Sequence, residues 1–403
     1  MRQRILYISY DGVLEPLGAS QVLAYLKHLS LNRCIHLISF EKKDDWDKKN
    51  PRLSLAKEIS NSGIVWHPLR YHKSPTALAT LFDIAFGTVV GLWLVCRYGL
   101  NIVHARSYVA SVMALVLKRL THARFIFDMR GFWADERVDG GMWPSGGYLY
   151  RTAKWFERRF LLSADYVVSL THLAVNEMRT FSYLQRKMPL FEVITTCTDL
   201  ELFHSEESYA DSRQSGRPFI LGYVGSVTGW YLFDDTLRCF QLLRERKPDA
   251  QLLIINRGGH DFIRDRIHAL NIDFDAVRIE EGNHEDVARA MQKMDAGIFF
   301  IKPIYSKMAS APTKLGEFLG CGVPCLGNSG VGDMGSILEN EKVGVVLNRF
   351  DDDAMREAIN RLLQLTQTDG ISERCRDIAL RYFSLDEGVR RYSHVYQRVL
   401  ETL

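Results

Sequence analysis

The stretch GIFFIKPIYSKMASAPTKLGEFLGCGVPCLGNSG, residues 297–330, decides the fold. It begins with an apolar run that predicts a buried strand, and this strand ends at Pro303 because proline lacks a backbone donor. Pro312 and Thr313 predict the start of a helix, since proline fits the first helical turn. A glycine-rich exit predicts the end of the helix, and a second apolar run then predicts another strand. A strand, a helix and a strand in this order form one repeat of a parallel α/β sheet.

The predicted helix carries the residues of a candidate nucleotide site. Lys314 and Glu317 are three positions apart and therefore share one helix face. The N-terminus of a helix attracts phosphate, and Lys314 adds a full positive charge there, beside Thr313. Glu317 can accept hydrogen bonds from a diol such as ribose. The pair therefore predicts a nucleotide-diphosphate site, and the alternative is a solvated Lys–Glu pair of the kind found on many helices.

The composition is typical of a soluble globular chain. The 403 residues are 47% hydrophobic and 25% charged, which predicts a full core and favours two domains over one. A net charge of +3 gives no support to nucleic-acid binding. Seven cysteines without a paired spacing favour a reducing compartment, and the N-terminus lacks the form of a signal peptide. We therefore expect a cytoplasmic protein.

Strand and helix patterns alternate along the chain. Such alternation predicts βα units on parallel sheets, and the polar segment HSEESYADSRQSGRP divides the pattern into two halves. We expect a Rossmann-like domain over residues 1–205, a second one over residues 206–384, and a final helix over residues 385–403, with packing against the first domain as one option. Ligands of open parallel sheets bind at the carboxyl ends of the strands, so a cleft between the two domains is the expected site.

One apolar segment bears on membranes. Residues 84–96, IAFGTVVGLWLVC, fall short of the roughly 20 residues that a membrane-spanning helix needs. The segment predicts either a buried helix of the soluble fold or a helix that makes a peripheral contact with a membrane surface.

Four segments resemble one known family. PTKLGEFLGCGVPCLGNSGVGD resembles the donor domain of GT-B glycosyltransferases, family 4, and FILGYVGSV resembles the strand that opens this domain. YDGVLEPLGASQVL, which contains Gly18, resembles the family's N-terminal glycine loop, and TTCTDLELF resembles the segment that usually reads PNGVDxxxF. The resemblance implies an α/β fold of the GT-B type, two Rossmann-like domains that face each other across a cleft. It also implies that the first domain binds the acceptor and the second binds a nucleotide sugar.

The sequence departs from the family pattern at three positions. Ala309 stands where the first glutamate of the E-x7-E motif is usual, and Ser226 stands where an arginine is usual. The lysine that usually follows falls at Tyr231 or Leu232. In the family, the arginine and the lysine hold the donor diphosphate, so other residues are expected to bind the donor here. The candidate donor-binding residues are Gly18, Arg257, Lys302, Lys307, Thr313, Lys314 and Glu317.

The candidate catalytic residues lie in both halves. The sequence FDMRGFWADE puts Asp128 and Arg130 at the end of a predicted strand. We expect Asp128 to orient the acceptor hydroxyl or to act as its base, and Arg130 to contact a donor or acceptor phosphate. The alternative is an Asp–Arg pair that braces the loop. Lys314 is expected to neutralise the leaving diphosphate, and His104 is either a cleft residue or a satisfied core histidine.

These observations together predict a glycosyltransferase. It would move a sugar from a nucleotide-diphosphate sugar to a saccharide or lipid-linked acceptor, with no metal and no cofactor besides the donor substrate. The resemblance implies retention of the anomeric configuration and a role in surface polysaccharide or lipopolysaccharide synthesis. The expected location is the cytoplasm, with peripheral contact at the inner face of the cell membrane as a further option. Two alternatives are a sugar-nucleotide epimerase of the same architecture and a nucleotide-sugar-binding subunit without catalysis.

Overall fold

The chain forms two compact units. The computed structural model describes residues 3–15, 18–74, 76–205 and 217–401. The first unit ends at Thr195 and resumes at Gly388, and the second comprises Thr196–Glu387. The first boundary thus precedes the polar segment that divides the sequence pattern, and most of that segment lies outside the described residues.

The first unit is built on a seven-stranded parallel sheet. Its strand order is β3-β2-β1-β4-β5-β6-β7, so the order reverses beside β1. The strands are β1 Arg4–Ser9, β2 Cys34–Glu41, β3 Ile64–Arg70, β4 Ile102–Arg106, β5 Arg124–Asp128, β6 Tyr166–Ser169 and β7 Leu190–Val193. The central strands β1 and β4 are almost entirely buried, as a parallel sheet with helices on each side requires, although β4 also carries the buried polar residues His104 and Arg106.

Helices connect these strands. A wider π-type turn, Ala19–Leu23, leads directly into the first of these helices. The helices are α1 Ala24–Leu29, α2 Lys43–Trp46, α3 Lys49–Asn61, α4 Thr76–Tyr98, α5 Ser107–Leu120, α6 Trp133–Asp139, α7 Tyr148–Ser163 and α8 His172–Arg179. The sequence pattern did not predict α6, because its seven residues lie in a segment rich in glycine and charge that reads as a loop.

The second unit is built on a six-stranded parallel sheet. Its order is β10-β9-β8-β11-β12-β13, with the reversal beside β8. The strands are β8 Ile220–Val224, β9 Gln251–Ile255, β10 Val277–Glu280, β11 Ala296–Ile298, β12 Cys325–Asn328 and β13 Gly344–Leu347. The helices are α9 Phe233–Arg246, α10 His260–Ala269, α11 His284–Met291, α12 Thr313–Gly320, α13 Met334–Asn340, α14 Asp352–Thr366 and α15 Ile371–Phe383.

The last helix, α16, comprises Leu385–Glu401, and its residues from Gly388 onward belong to the first unit. There the hydroxyl of Tyr392 donates a hydrogen bond to Asp128, and the hydroxyl of Tyr396 contacts His104. The helix therefore covers the face of the first sheet from which Asp128 and His104 project.

The structure confirms the α/β class, with two parallel sheets in sequence. The decisive stretch contains α12 and β12, and β11 ends inside it, so the predicted order is confirmed. The strand ends at Ile298, earlier than the apolar run before Pro303 predicts. A Cβ atom on Gly297 of β11 would lie 2.8 Å from the ring of Phe318. Glycine at this position therefore lets α12 pack closely on the strand, which fixes where the first turn of α12 lies at the edge of the sheet.

Candidate functional site

The first turn of α12 lies at the carboxyl edge of the second sheet. A Cβ atom on Gly225, the residue after β8, would lie 3.0 Å from Nζ of Lys314. Lys314 therefore extends from the helix that follows β11 to the end of β8. These two strands flank the point where the strand order reverses, which is where open α/β sheets bind their ligands.

Aromatic rings surround the Lys314 ammonium group. Its Nζ lies 3.9 Å from the ring centre of Tyr231, 5.2 Å from that of Tyr223 and 5.4 Å from that of Phe299. The residue is 6% exposed, and its ammonium has no hydrogen-bond partner within the described chain. Burial lowers the pKa of Lys314 to about 7, although the charge of Glu317 opposes the shift. The side chain is thus a buried amine that is protonated at pH values below about 7, and its donors have no partner among the described residues.

Glu317 lies one turn further along the same helix. Burial raises its pKa, and the charges of His284 and Lys314 oppose this shift. Since burial outweighs attraction for both Lys314 and Glu317, the two side chains do not act as a tight ion pair. The structure does not support a solvated Lys–Glu pair on this helix, because Lys314 is buried and Glu317 is only partly exposed.

The segment at Trp230 and Tyr231 pairs with the chain beyond β11. The amide of Leu232 donates to the carbonyl of Phe300, and the amide of Lys302 donates to the carbonyl of Trp230. This pairing holds the Tyr231 ring against Lys314 and the Trp230 ring 3.9 Å from Nζ of Lys307. Sequence reasoning missed these aromatic contacts, since they join parts of the chain that are far apart in sequence.

The other predicted donor-binding residues have diverse environments. Lys307 is buried against Trp230, whereas Lys302 is exposed and Thr313 is exposed at the first position of α12. The side chain of Arg257 is 89% exposed, and its Nε lies 3.9 Å from a carboxylate oxygen of Glu281. The structure therefore brings Lys307 and Lys314 to the same aromatic segment, and donor binding by Lys302, Arg257 and Thr313 stays a prediction.

Two asparagine side chains hold the chain in place just after the neighbouring strands β8 and β11. Asn256, after β9, donates to the carbonyl of Gly225 at 2.8 Å and accepts from the amide of Gly259 at 2.7 Å. Asn328, at the end of β12, exchanges two hydrogen bonds with the backbone of Ile301. These bonds fix the loops on both sides of Lys314, so the carboxyl edge is a preorganised surface.

A second charged cluster lies at the carboxyl edge of the first sheet. Asp128 is 0% exposed and accepts a hydrogen bond from Tyr392 at 2.9 Å. His104 Nε2 lies 3.5 Å and Arg130 Nη1 lies 3.9 Å from its carboxylate oxygens. Burial alone would raise the pKa of Asp128, but Arg130 and the other positive neighbours outweigh burial and lower it to about 2. An enclosed carboxylate of this kind suits a positioning role, and its predicted role as a base is untested.

His104 and Arg106 belong to the same cluster. His104 is fully buried, its Nδ1 lies 2.7 Å from the hydroxyl of Tyr396, and burial lowers its pKa, so the ring is neutral at pH 7. Arg106 is 5% exposed, and its Nε lies 3.7 Å from a carboxylate oxygen of Asp11. Sequence reasoning missed Arg106, because the predicted strand ended at His104, whereas β4 continues to Arg106.

Gly18 lies against its own loop. A Cβ atom on this residue would lie 2.0 Å from the carbonyl oxygen of Gly12. The buried carboxylate of Glu41 holds the same loop, because it accepts hydrogen bonds from the amides of Val13 at 2.9 Å and Leu14 at 3.2 Å. Close packing of the loop thus explains why a glycine is needed here, and the predicted contact with the donor stays a prediction.

Helix α4 is long and apolar, and much of it is exposed. By length and composition alone, Ala77–Tyr98 would suffice to cross a membrane, yet only 33% of an apolar 18-residue window within it is buried. One face of the helix is buried, as the first alternative from the sequence has it, and the other face is exposed; contact of that face with a membrane stays a prediction. That face carries large apolar side chains in a continuous row, which are Leu78, Leu81, Phe82, Phe86, Val89 and Trp93.

The chain has two parallel α/β units, and each carries charged residues where the strand order of its sheet reverses. This architecture is that of two-domain Rossmann-like proteins, in which ligands bind at the strand ends. Residues 205–379 match the family described as glycosyl transferases group 1, and residues 57–188 match the glycosyl transferase 4-like domain. The chain belongs to the GT-B glycosyltransferases of this group, and it is an enzyme of that class. No curated protein matches it.

Solved structures share the fold over the whole chain. A sucrose-phosphate synthase from Thermosynechococcus elongatus and a glycosyltransferase from Rickettsia africae each align with a TM-score of 0.71, 15% identity and 100% coverage of both chains. The lipopolysaccharide outer core galactosyltransferase WaaB aligns with a TM-score of 0.67, 14% identity and coverage of 98% of this chain and 100% of that one. An Anabaena protein, HepE, solved with UDP and glucose, aligns with a TM-score of 0.64, 14% identity and 100% coverage of both chains.

Proposed function

We propose that this glycosyltransferase moves a sugar from a nucleotide-diphosphate sugar to a saccharide or lipid-linked acceptor. The observation that carries the proposal is the Lys314 ammonium, which is buried at the reversal point of the second sheet without a hydrogen-bond partner in the described residues. Burying a cation without a partner is costly, so such a group marks a site for an anion. A diphosphate supplies the missing charge and acceptors.

Lys314 would act on the leaving group. When the bond between the sugar and the diphosphate breaks, negative charge grows on the phosphate oxygens. A buried cation stabilises that charge more strongly than a solvated one, because water does not screen it. The free amides at the start of α12 add a partial positive charge. We propose that these groups replace a metal ion in neutralising the diphosphate.

Glu317 would bind the ribose. It lies one turn further along α12, and burial raises its pKa, so hydrogen bonds from donors would stabilise its charged form. The two ribose hydroxyls supply such donors. Structures of the Anabaena protein HepE with UDP and with UDP-glucose support a donor of this chemistry for a chain with the same fold.

The transfer would retain the anomeric configuration, as the family resemblance implies. Ala309 is 1% exposed and occupies the position of the first family carboxylate, so no carboxylate nucleophile comes from that position. In the proposed step, the bond between the anomeric carbon and the phosphate oxygen breaks. The acceptor oxygen forms its bond to the anomeric carbon on the same face of the sugar ring from which the phosphate leaves. The acceptor proton passes to the departing phosphate oxygen, and the products are the glycoside and the nucleoside diphosphate.

The acceptor domain would contact an anionic membrane surface through α4. The helix turns its small and acidic residues inward: Cβ atoms on Gly87 and Gly91 would lie within 3.0 Å of Met113 and Leu117, and Asp83 accepts a hydrogen bond from Tyr10. Its large apolar side chains point to solvent. Between Glu58 and Asp128, Asp83 is the sole acidic residue of the sequence.

Basic residues flank this apolar face. Arg70 and Lys73 precede the helix, Arg97 lies at its end, and all three are exposed. An apolar face bordered by cations and free of exposed acids matches a bilayer with anionic headgroups. Such a surface supports a lipid-linked acceptor and a role in surface polysaccharide or lipopolysaccharide synthesis at the inner face of the cell membrane. The fold shared with WaaB supports the same pathway.

The test is nucleotide binding followed by turnover. We expect UDP or another nucleoside diphosphate to bind with micromolar affinity in calorimetry, and Lys314→Met to weaken it at least tenfold. Lys293→Met is the matched control, because this exposed lysine precedes β11 at the opposite edge of the sheet. Equal affinity in wild type and Lys314→Met would overturn the site assignment.

Turnover separates the enzyme from its two alternatives. Incubation with donor alone, followed by NMR of the sugar, would reveal an epimerase as a change of sugar configuration. The departures at Ala309 and Ser226 favour the non-catalytic subunit as second candidate. That subunit would bind the donor but release no nucleoside diphosphate with any acceptor or with water.

A further inference from the structure

The carboxyl ends of β1, β4 and β5 carry one row of polar side chains. In the register of these strands, Ser9 pairs with Arg106, and Arg106 pairs with Asp128. Residues that pair in adjacent parallel strands project from the same face of the sheet. This face also carries His104, and Tyr392 of α16 covers it. The row lies at the reversal point of the first sheet, where ligands of such sheets bind.

The buried charges of this cluster do not balance. Arg106 is 5% exposed, the side chain of Arg130 is 12% exposed, and Asp128 is 0% exposed. The nearby His104 ring is neutral because burial lowers its pKa. The carboxylate of Asp11 is 54% exposed, so water weakens its attraction for Arg106. Two buried guanidinium groups therefore share one buried carboxylate, and one positive charge is left over.

The two guanidinium groups also have unused donors. Nε and Nη1 of Arg106 and Nη1 of Arg130 have no hydrogen-bond partner among the residues that the structure describes. Their nearest carboxylate oxygens lie at 3.7 and 3.9 Å, which is too long for a hydrogen bond. Arg130 Nη2 reaches Gln21 Oε1 only at 3.5 Å. Buried arginine donors without partners are costly, so the arrangement is that of a site for a multivalent anion.

The backbone beside the arginines has the form of an anion site as well. Helix α5 begins directly after Arg106, runs for 14 residues and has no side-chain cap on its first amides. Ser107 and Arg130 both adopt positive φ angles, 67° and 58°. Such angles are strained for these residue types and persist where the surrounding structure holds a functional geometry. Free amides, a helix dipole and two guanidinium forks are the groups that bind phosphate.

We propose that Arg106 and Arg130 form a phosphate subsite in the first unit, which binds the phosphate or diphosphate ester of the acceptor. The inference rests on the proposed function, which assigns the donor diphosphate to Lys314 in the second unit and the acceptor to the first. It narrows the acceptor from any saccharide to one that carries a phosphate ester. A lipid-linked diphosphate sugar and a soluble sugar phosphate share this chemistry.

Calorimetric titration with pyrophosphate and with UDP tests the subsite. We expect wild type to bind two pyrophosphate ions per chain. Lys314→Met should keep one of these ions, at the arginines, and lose UDP binding at least tenfold. Arg106→Gln should bind UDP as wild type does and keep one pyrophosphate ion, at Lys314. Arg119→Gln, an exposed arginine on the same helix α5, is the matched control and should change neither titration.

The outcomes separate this inference from the proposed function. If Lys314→Met abolishes all pyrophosphate binding, or Arg106→Gln still binds two ions, the subsite does not exist and the donor site stands. If wild type does not bind UDP, the proposed function fails whatever the arginines do.

The conservative variant Arg106→Lys tests whether a loss of binding comes from the lost donors and not from unfolding. Two phosphate esters then test whether the acceptor is lipid-linked or soluble. Arg106→Lys keeps the charge but loses the two-pronged donor, so we expect pyrophosphate affinity at this subsite to fall about tenfold and the fold to persist in circular dichroism. Unchanged affinity would contradict the subsite. In Lys314→Met, tighter binding of geranyl phosphate than of glucose 1-phosphate supports the lipid-linked form, and the reverse order supports the soluble form.

Discussion

The ammonium of Lys314 lies 3.9 Å from the centre of the Tyr231 ring, and it has no hydrogen-bond partner in the described chain. Tyr231 falls at one of the two positions where the resembled family carries a lysine. In the proposed site, the cation that binds the donor diphosphate would therefore come from α12 instead of from the loop after β8. The Tyr231 ring contacts this cation through a cation–π interaction. Because this contact already holds the Lys314 amine in place, we expect little reorganisation of the side chain on anion binding.

Nucleotide binding should be accompanied by proton uptake. Burial lowers the pKa of Lys314 to about 7, so most chains carry a neutral amine at pH 8. A bound diphosphate favours the charged form and raises this pKa, and the complex therefore takes up close to one proton at pH 8. Calorimetry of UDP binding in two buffers with different ionisation enthalpies measures the uptake. Lys314→Met should bind its residual UDP without proton uptake, and equal apparent enthalpies in both buffers for wild type would contradict the assignment.

The same pKa links the stability of the unliganded protein to pH. The unfolded chain holds the Lys314 proton up to about pH 10.5, whereas the folded chain releases it near pH 7. Between these values the unfolded state binds more protons, so the free energy of unfolding rises as pH increases from 7 toward 10.5. Lys314→Met removes this penalty and should stabilise the protein at pH 6.5 by on the order of 3 kcal/mol.

Denaturant unfolding at several pH values checks this prediction. The difference between Lys314→Met and wild type should shrink as pH rises, because the folded and unfolded chains both lose the proton. Lys293→Met, at an exposed position, should follow wild type at every pH. A constant difference across the range would mean that methionine acts through packing and not through the charge.

Gly18→Ala should disrupt the loop after β1. Its methyl group would lie 2.0 Å from the Gly12 carbonyl, so the loop must move away from the Glu41 carboxylate that holds it. Loss of these buried hydrogen bonds and the steric strain should cost about 3 kcal/mol or more in unfolding free energy. Gly63→Ala is a useful comparison, because its φ is 75° but nothing lies within 4 Å of the new methyl group. For Gly63→Ala we expect the free energy of unfolding to fall by about 1 kcal/mol, caused by the backbone conformation alone.

Local sequence patterns predicted the elements but only part of the site. The apolar runs of β1 and β11 and the Pro-Thr start of α12 are local signals, so the α/β order and the position of Lys314 could be predicted. The rings around Lys314 and the cluster of Arg106 with Asp128 arise when distant segments pack, and no local pattern encodes that packing. The sequence left two alternatives open for α4, a buried and an exposed helix, because hydrophobicity alone does not tell which side of a helix faces a neighbour.

The exposed face of α4 should bind anionic membranes. Phe82→Ser and Trp93→Ser together remove two large apolar side chains from this face, which otherwise enter the boundary between headgroups and acyl chains. We expect wild type to float with vesicles that contain phosphatidylglycerol, and the double variant to float at least fivefold less, with UDP binding unchanged. Leu31→Ser, an exposed leucine of the first unit outside α4, is the control and should float like wild type. If wild type stays unbound and light scattering shows a dimer that the double variant loses, the face pairs two copies of the chain and the membrane assignment is wrong.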